Sequence, residues 1–439
     1  MSLLSKLWAR RRERPLFVGV AVVVLGSLLG YPFVDLWLRA NFDFVETFTF
    51  HDFGAYSGAV DRYNAGESLY RQREDGSFWG SYLYPPVVIF LFLPFLELLE
   101  FRPAAMAWVA TSALFLWFGL QTLVSALGYE LRWWERLGLA WVVAGFHPVI
   151  LSAKMGQAAL FMGGMLSFGA AAMVRGGDES DSRWPLVSGA YTAAIGIVKF
   201  AYAPVGAHLL HDRRRMAGAL LLVPPVLWVS IRFFGLEAHR TYIEVLQWGV
   251  EKGEGGARSP TLWLPPYFKP LSWFHAPQLL RGAASLSVVV LAVLAPPRAR
   301  NAVFALGVVT FPLFTPQTYA YYLVALLPAV VLLLHVELRR DGYPELVLVG
   351  LLCAHLHSYG LKYMVHNMPD RFPIWQEWLS SHYLLLQPGL WGTSILFGLA
   401  AVRVATTIDP AAIAAKITRT VDRSASVVRR RRRSGSDRE

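Results

Sequence analysis

The first residue with chemical potential is Asp52, which lies in a polar stretch after the first apolar run of the chain. It precedes the segment 53–65, in which apolar side chains recur at spacings of three and four residues. That spacing predicts an amphipathic helix at a membrane surface. A carboxylate at the head of such a helix is partly desolvated and could accept a proton from a hydroxyl group. It could also cap the helix N-terminus, and the two roles do not exclude each other.

A second candidate is Lys199, which lies inside the apolar run 184–210. A lysine in the hydrocarbon region is costly, so its ammonium group either reaches the interface or faces a polar cavity with a partner. Pro204 favours a local break in the helix, and a break favours the cavity. A cation at that depth would suit the phosphate of a lipid-linked substrate.

Two further polar segments interrupt the apolar runs. Gln157 follows a glycine at the opening of one predicted span, and Tyr321 and Tyr322 lie at the end of an aromatic bend, 314–322. The bend could hold a substrate, or it could belong to the belt of tyrosines that marks a membrane interface.

The polar loop 236–276 contributes Arg258, which could meet the same cavity from the exterior or remain a solvated loop cation. Motifs for other chemistries are missing from the sequence, which has neither a phosphate-binding glycine loop nor a nucleophile elbow. His355 and His357 are two positions apart and would face different sides of a helix. We therefore expect no metal and no cofactor.

The elements that must position these residues are membrane helices. The chain has 439 residues, of which 55% are apolar and 16% charged, and its mean hydropathy is +0.40, so an ordinary soluble domain is excluded. Roughly twelve helical spans of about 20 residues would account for the apolar fraction. The sequence predicts an all-α, polytopic integral membrane helical bundle with exterior juxtamembrane helices.

Charges indicate the orientation of the bundle. Basic residues cluster near both ends, so both termini are expected to be cytoplasmic. In the loop 40–83 acidic residues outnumber basic ones by seven to three, which places this loop outside. The predicted organisation is a transmembrane unit, 1–404, with exterior loops 40–83, 236–276 and 361–385, and a largely disordered basic tail, 405–439. The tail is expected to contact anionic lipid, and no nucleic acid.

Two ways of crossing the membrane fit these charges. If the run 84–99 is a span and 184–210 crosses once, twelve complete spans result and Gln157 faces the cytoplasm. If 184–210 breaks at Lys199 and 84–99 re-enters without crossing, Gln157 faces outside. The first interpretation is simpler and is the one we prefer, although length cannot decide between a tilted and a broken helix.

Six short motifs follow one another along two thirds of the chain. They are Asp52-Phe53-x-x-Tyr56, Asn64-Ala65-Gly66-x-x-Leu69-Tyr70, Tyr84-Pro85-Pro86, Gly156-Gln157, Lys199 with Pro204, and Thr315-Pro316. In this order they resemble glycosyltransferase family 87, C-type membrane mannosyltransferases that use polyprenyl-phosphate-mannose. The resemblance implies a catalytic aspartate at Asp52. The chain departs from the family at Ala158 and Ala159, near which an Asn is frequent, and at Tyr321 and Tyr322, near which some members carry a His.

The expected activity is an inverting, metal-independent transfer of a hexose, by the resemblance mannose. The donor would be a polyprenyl-phosphate-sugar, and the acceptor a lipid or glycan on the outer face of the cell membrane. Asp52 would deprotonate the acceptor. The substrate-binding candidates are Tyr56, Tyr84 and Gln157 around the sugar, and Lys199, Tyr321, Tyr322 and Arg258 at the phosphate.

Two other classes of protein remain open. Many spans with an intramembrane lysine also fit a multi-pass transporter or flippase for a lipid-linked or amphipathic solute. An acid in the ordered loop 40–83 and the lack of two-fold internal similarity favour the enzyme. A structural subunit without activity is disfavoured by the cost of Lys199.

Overall fold

The computed structural model describes residues 11–41, 47–79, 82–177, 183–254, 267–268, 270–271, 274–357, 387–409 and 411. Within these residues the chain forms fourteen α-helices, four 3₁₀ helices and one pair of two-residue strands. The predicted all-α fold is confirmed.

The helices are numbered here in chain order. They are α1 (Pro15–Asn41), α2 (His51–Asn64), α3 (Leu93–Leu98), α4 (Phe101–Ala126), α5 (Trp133–Gly145), α6 (His147–Met155), α7 (Ala159–Arg175), α8 (Trp184–Val198), α9 (Arg213–Glu254), α10 (Pro277–Leu294), α11 (Arg300–Phe314), α12 (Leu326–Arg339), α13 (Pro344–His355) and α14 (Pro388–Ala405). The 3₁₀ helices are Pro86–Leu91, Phe200–His211, Pro297–Ala299 and Ala320–Ala325. Strands β1 (Tyr267–Phe268) and β2 (Thr318–Tyr319) pair antiparallel.

Six described helical segments are long and apolar enough to cross a membrane: Pro15–Asn41, Phe101–Ala126, Arg213–Glu251, Pro277–Leu294, Ala320–Arg339 and Pro388–Ala405. The pair α5 and α6, bent by 69°, could form a seventh span, and α7, α8 and α13 are shorter apolar helices. Large apolar side chains such as Val22, Val23 and Phe33 of α1 are exposed, as a lipid-facing surface requires. The polytopic membrane bundle is confirmed, whereas the count of about twelve spans stays a prediction.

Helix α11 lies in the core of the bundle. Twelve of its fifteen residues are buried, so its surface is apolar on all sides. Gly307 permits the closest approach, since a Cβ there would lie 2.6 Å from the backbone oxygen of Pro204. The 3₁₀ helix Phe200–His211 therefore packs directly against the backbone of α11.

The run 184–210 is not a single span. Lys199 ends α8 in an extended conformation, with φ −150° and ψ 104°, and the 3₁₀ helix that follows turns back. Ser188 Oγ lies 3.3 Å from His208 Nε2, so the two helices run antiparallel with Lys199 at the apex of the hairpin. The break falls at Lys199 and not at Pro204.

The run 84–99 consists of two short helices of six residues each, Pro86–Leu91 and α3. Together they are about 21 Å long, and each arm of the hairpin at Lys199 is nearly as short, so none of these segments spans a hydrocarbon core of about 30 Å by its length alone. The break at Lys199 agrees with the second interpretation, and the single helix over 184–210 that the preferred interpretation needs is wrong. Which of these segments cross the membrane, and which side Gln157 faces, stay predictions.

Helix α9 bends at Gly235, whose φ of 73° and ψ of 171° are not helical. The segment beyond this bend is helical up to Glu254 and forms the first part of the loop 236–276. Tyr242 in this segment stacks on Tyr70, with ring centroids 6.1 Å apart. The second half of α9 therefore covers part of the loop 40–83.

An ion pair and a hydrogen bond connect several helices near the C-terminal end of α12. Glu337, whose side chain is fully buried, accepts a hydrogen bond of 2.7 Å from Arg403 of α14. Arg14, just before α1, donates to the backbone oxygen of Gly342 at 2.9 Å. These contacts join α1, α12, α14 and the turn after α12.

Candidate active site

The carboxylate of Asp52 is held at the first turn of α2. Phe50 precedes this helix in a left-handed conformation, with φ 53°, and has no polar side chain to cap it. Asp52 Oδ2 accepts a hydrogen bond of 3.0 Å from Gln157 Nε2 instead of bonding the helix terminus. Asp52 is therefore not the N-cap, and its carboxylate faces a residue 105 positions away.

Gln157 connects the polar side chains of the site. Its Oε1 accepts hydrogen bonds from the hydroxyls of Tyr56 (2.7 Å) and Tyr84 (3.1 Å) and from the backbone N–H of Ala158 (2.7 Å). Three donors at one oxygen fix the orientation of the amide, because only the oxygen can accept. The NH₂ group is therefore directed at Asp52.

Tyr56 and Tyr84, which hydrogen-bond Gln157, are both buried. Tyr56 is 1% exposed and stacks on Phe92, with ring centroids 4.0 Å apart. The hydroxyls of the two tyrosines lie 3.2 Å from each other. Four sequence candidates, Asp52, Tyr56, Tyr84 and Gln157, thus form one hydrogen-bonded cluster.

Lys199 lies beside this cluster, at the apex of its hairpin. Its Nζ is 3.4 Å from the centroid of the Tyr322 ring, 5.8 Å from that of Phe311 and 6.0 Å from that of Tyr84. These are cation–π contacts. Within the described part of the chain no carboxylate forms an ion pair with Lys199. Phe311 was not a sequence candidate.

Several groups act on the charge of Asp52. Burial raises the pKa of Asp52 above its ordinary value of 3.8, and hydrogen bonds from Gln157 and Tyr321 and the positive charges of His51 and Lys199 counteract part of this rise. The resulting rise moves the carboxyl group toward the pH at which it can exchange protons with a substrate.

The tyrosines of the bend are positioned by a short turn. Thr318 Oγ1 donates to the backbone oxygen of Pro312 at 2.8 Å and lies 2.6 Å from Thr315 Oγ1. The 3₁₀ helix that follows brings the rings of Tyr321 and Tyr322 to a centroid distance of 4.6 Å. The bend therefore lies beside the cluster, because Tyr322 contacts Lys199 and Tyr321 is buried.

Other predictions fall outside the described residues. Arg258 is among these, together with the loop 361–385 and the basic residues of the tail beyond 411. Among the residues that are described, no group of three or more His, Cys, Asp or Glu side chains could hold a metal ion.

The sequence interpretation missed a buried ion pair next to the site. Lys154 Nζ lies 2.6 Å from Asp35 Oδ1, and Arg39 Nε lies 3.0 Å from Asp35 Oδ2. Asp35 falls in the apolar run assigned to the first span, whereas Lys154 lies in the short segment between two predicted spans. An ionisable residue inside a span is rare, and this signal could have marked Asp35.

Gly156 provides a test of this arrangement. It has φ 70°, and a Cβ at this position would lie 2.6 Å from the Cβ of Phe53 in α2. We expect Gly156→Ala to lower the melting temperature by at least about 5 °C, because the left-handed backbone would be strained and the new methyl group would clash with the Cβ of Phe53. The matched control is Gly54→Ala, whose Cβ would only touch Phe101 at 4.0 Å. Equal melting temperatures for the two variants would contradict the packing of α6 against α2.

The fold and the cluster define the class of the protein: a polytopic membrane protein with a site built around one half-buried carboxylate. The model of Glycosyltransferase family 87 matches residues 82–358, well over half of the chain. The chain therefore belongs to glycosyltransferase family 87 and is a membrane glycosyltransferase, which sets the transporter interpretation aside. The match includes Tyr84, Gln157, Lys199 and the tyrosine bend, and it begins after Asp52.

Solved structures show a weaker likeness. ArnT from Cupriavidus metallidurans bound to undecaprenyl phosphate has a TM-score of 0.42 and 16% identity, over 90% of this chain and 77% of that chain. ArnT from the same organism in the apo state has a TM-score of 0.37 and 14% identity, over 91% and 77% of the two chains. At this level of similarity neither structure assigns a role to a residue of this chain. No curated protein matches the sequence.

Proposed function

We propose that the chain transfers a hexose, with mannose as the first candidate, from a polyprenyl-phosphate-sugar to a hydroxyl group of a lipid or glycan acceptor. The observation that supports this most is that Tyr84 connects Asp52 and Lys199. Its hydroxyl bonds Gln157, which donates to the Asp52 carboxylate, and its ring centroid lies 6.0 Å from Nζ of Lys199, which has no ion-pair partner among the described residues.

The proposed reaction is a direct displacement. Asp52 takes the proton of the acceptor hydroxyl, and the acceptor oxygen forms a bond to the anomeric carbon. The bond from this carbon to the phosphate oxygen breaks on the opposite face, and its electron pair leaves with the lipid phosphate. One carboxylate is sufficient for this inverting step.

Lys199 is proposed to stabilise the leaving phosphate. A fixed cation in a site with little water stabilises developing negative charge more than it would in bulk water. Tyr322, on which the ammonium group lies, and Tyr321 supply hydroxyl groups near the same point. Arg258 is retained as a further phosphate ligand from the loop 236–276.

The proposed orientation places the site on the outer face of the cell membrane, with both termini in the cytoplasm. The hairpin of α8 and the following 3₁₀ helix supports it. Lys199 lies at one end, and the basic residues from Arg213 to Arg215 begin at the other, about 24 Å away for twelve residues of 3₁₀ helix. Basic clusters are typical of the cytoplasmic side.

Purified protein in lipid nanodiscs tests the function directly. It is incubated with undecaprenyl-phosphate sugars carrying labelled mannose, glucose or galactose, and with a panel of lipid and glycan acceptors. We expect transfer from a lipid-phosphate donor, with inversion at the anomeric carbon by NMR of the product. Transfer from nucleotide sugars alone, or retention of configuration, would contradict the proposal.

The pH dependence of transfer follows from Asp52. A base must be deprotonated, and burial raises the pKa of Asp52 above 3.8. We expect kcat/KM to fall as the pH decreases through this raised pKa, so that activity is lost at a higher pH than for an ordinary aspartate. The measurement is a pH–rate profile between pH 4 and pH 8, with the inactivation of the protein at each pH checked separately. A flat profile down to pH 4 would argue against Asp52 as the base.

A further inference from the structure

The buried ion pair of Asp35 and Lys154 joins α1 to α6 beside the site. Both side chains are 3% exposed, and the pair extends to Arg39 on the next turn of α1. Burying two charges costs desolvation energy, and well-packed apolar residues are often as stable in such a place. Stability alone therefore does not explain why these residues occur here.

The backbone of Lys154 holds the start of α2. Its carbonyl oxygen accepts a hydrogen bond of 2.9 Å from the N–H of Phe50, the left-handed residue that precedes the helix. The first helical bond then runs from the N–H of Gly54 to the oxygen of Phe50, at 3.0 Å. Asp52 lies between these two residues, so a shift of Lys154 would move its carboxylate.

The same end of α6 also determines where Gln157 lies. The N–H of Gln157 donates to the oxygen of Ser152 at 2.9 Å, and the left-handed Gly156 reverses the chain between them. Lys154 is thus connected through the backbone to both partners of the bond between Gln157 and Asp52.

We infer that Asp35 and Lys154 are positioning residues, which fix the end of α6 against α1 and so set the contact between Gln157 and Asp52. Neither touches the reacting atoms. The expected loss of sugar transfer rests on the proposed function. The hydrogen bond between Gln157 and Asp52 can be probed without any substrate, so that part of the inference does not.

The test compares two buried ion pairs of the same chain. The double variant Asp35→Asn with Lys154→Met removes the charge of both partners, and the amide oxygen can still accept from Arg39. The matched control is Glu337→Gln with Arg403→Met, an ion pair between other helices whose side chains are 0% and 14% exposed. Each single variant removes one charge of the buried pair and keeps the other, so both single variants are expected to be less stable than the double variant.

The first readout separates stability from activity. We expect the double variant to recover a melting temperature within about 5 °C of the wild type. Its kcat should stay at least tenfold lower, with KM for the donor changed less than twofold. The control pair should keep its kcat. Recovery of both stability and kcat in the double variant would overturn the inference, since a merely structural pair would behave in that way.

The second readout needs no sugar donor. N,N′-dicyclohexylcarbodiimide modifies protonated carboxyl groups in apolar surroundings, and mass spectrometry gives the modification rate of Asp52 at each pH. The hydrogen bond from Gln157 lowers the pKa of Asp52, while His51, Lys199 and Tyr321 are unchanged in the variants. Loss of that bond should therefore move the labelling midpoint to higher pH in the double variant and not in the control. An unchanged midpoint would overturn the inference.

The two readouts distinguish the possible failures. If the wild type transfers no sugar but the labelling midpoint shifts, the proposed function fails and the positioning role stands. If transfer is observed but neither kcat nor the midpoint changes, the positioning role fails alone. If the double variant does not fold, Asp35→Glu is measured instead, because it keeps the charge and lengthens the side chain. We expect this variant to keep its melting temperature and to lose kcat.

Discussion

Replacing Asp52 by asparagine is expected to lower the rate of sugar transfer by about 10²- to 10⁴-fold, the usual contribution of a general base. The amide cannot accept the proton of the acceptor hydroxyl. Asparagine has nearly the same size, and its oxygen can still accept from Gln157, so the fold and the binding of the donor should be preserved. Initial rates with saturating donor, together with KM for donor and acceptor, measure the effect as a loss of kcat.

The matched control is Asp61→Asn. Asp61 lies on the same helix, α2, and is exposed. Removing its charge should leave the rate within about twofold, because exposed charges are screened. Full activity of Asp52→Asn would refute the assignment of the base, and an equal loss in both variants would indicate a general effect of charge on α2.

Replacing Lys199 by methionine is expected to weaken the binding of undecaprenyl phosphate at least tenfold, which corresponds to about 1.4 kcal/mol. The interaction of an ammonium group with a phosphate is strong where little water screens it. Methionine keeps most of the side-chain volume, and within the described residues no carboxylate loses a partner. Thermal stability should therefore not fall. Native mass spectrometry or a fluorescence titration in detergent gives the dissociation constant.

Arg240→Met is the control for this loss of a positive charge. Arg240 lies in the second half of α9, and its side chain is 72% exposed. Its removal should change the affinity less than twofold. Unchanged binding in Lys199→Met would contradict the phosphate site, and so would an equal loss in the two variants, since the attraction would then be non-specific.

Most residues of the hydrogen-bonded cluster could be predicted from the sequence. Motif order brought Asp52, Gln157 and Tyr84 into one proposal, and the structure places them in one hydrogen-bonded cluster. What the sequence could not show is the arrangement within the cluster. Gln157 meets Tyr56 across 101 positions, and no local pattern encodes a contact of that range.

The path of the chain at Lys199 illustrates a different limit. Hydropathy marks 184–210 as one apolar run, whether the helix continues or breaks. The segment after Lys199 packs closely against α11 at Gly307, and a hydropathy profile contains no information on such a tertiary contact. The lysine within an apolar run did mark a position of interest. The length of the run, however, could not show whether the helix breaks there.

Asp35 and Lys154 were missed for a related reason. Asp35 is an isolated charge in the first predicted span, Lys154 lies between two predicted spans, and the two residues are 119 positions apart. Periodicity describes one helix at a time, so it cannot indicate which two helices bring opposite charges together. By contrast, α2 was predicted to within two residues at either end, because its apolar spacing is local.

The most direct test of the central claim is a cryo-electron microscopy structure of the Asp52→Asn protein in nanodiscs with polyprenyl-phosphate-mannose. We predict a lipid phosphate within about 4 Å of Lys199 Nζ, an ion-pair distance, and the anomeric carbon of the sugar between this phosphate and residue 52. Density for the donor at another place in the bundle, with Lys199 still lying on the ring of Tyr322, would contradict the account.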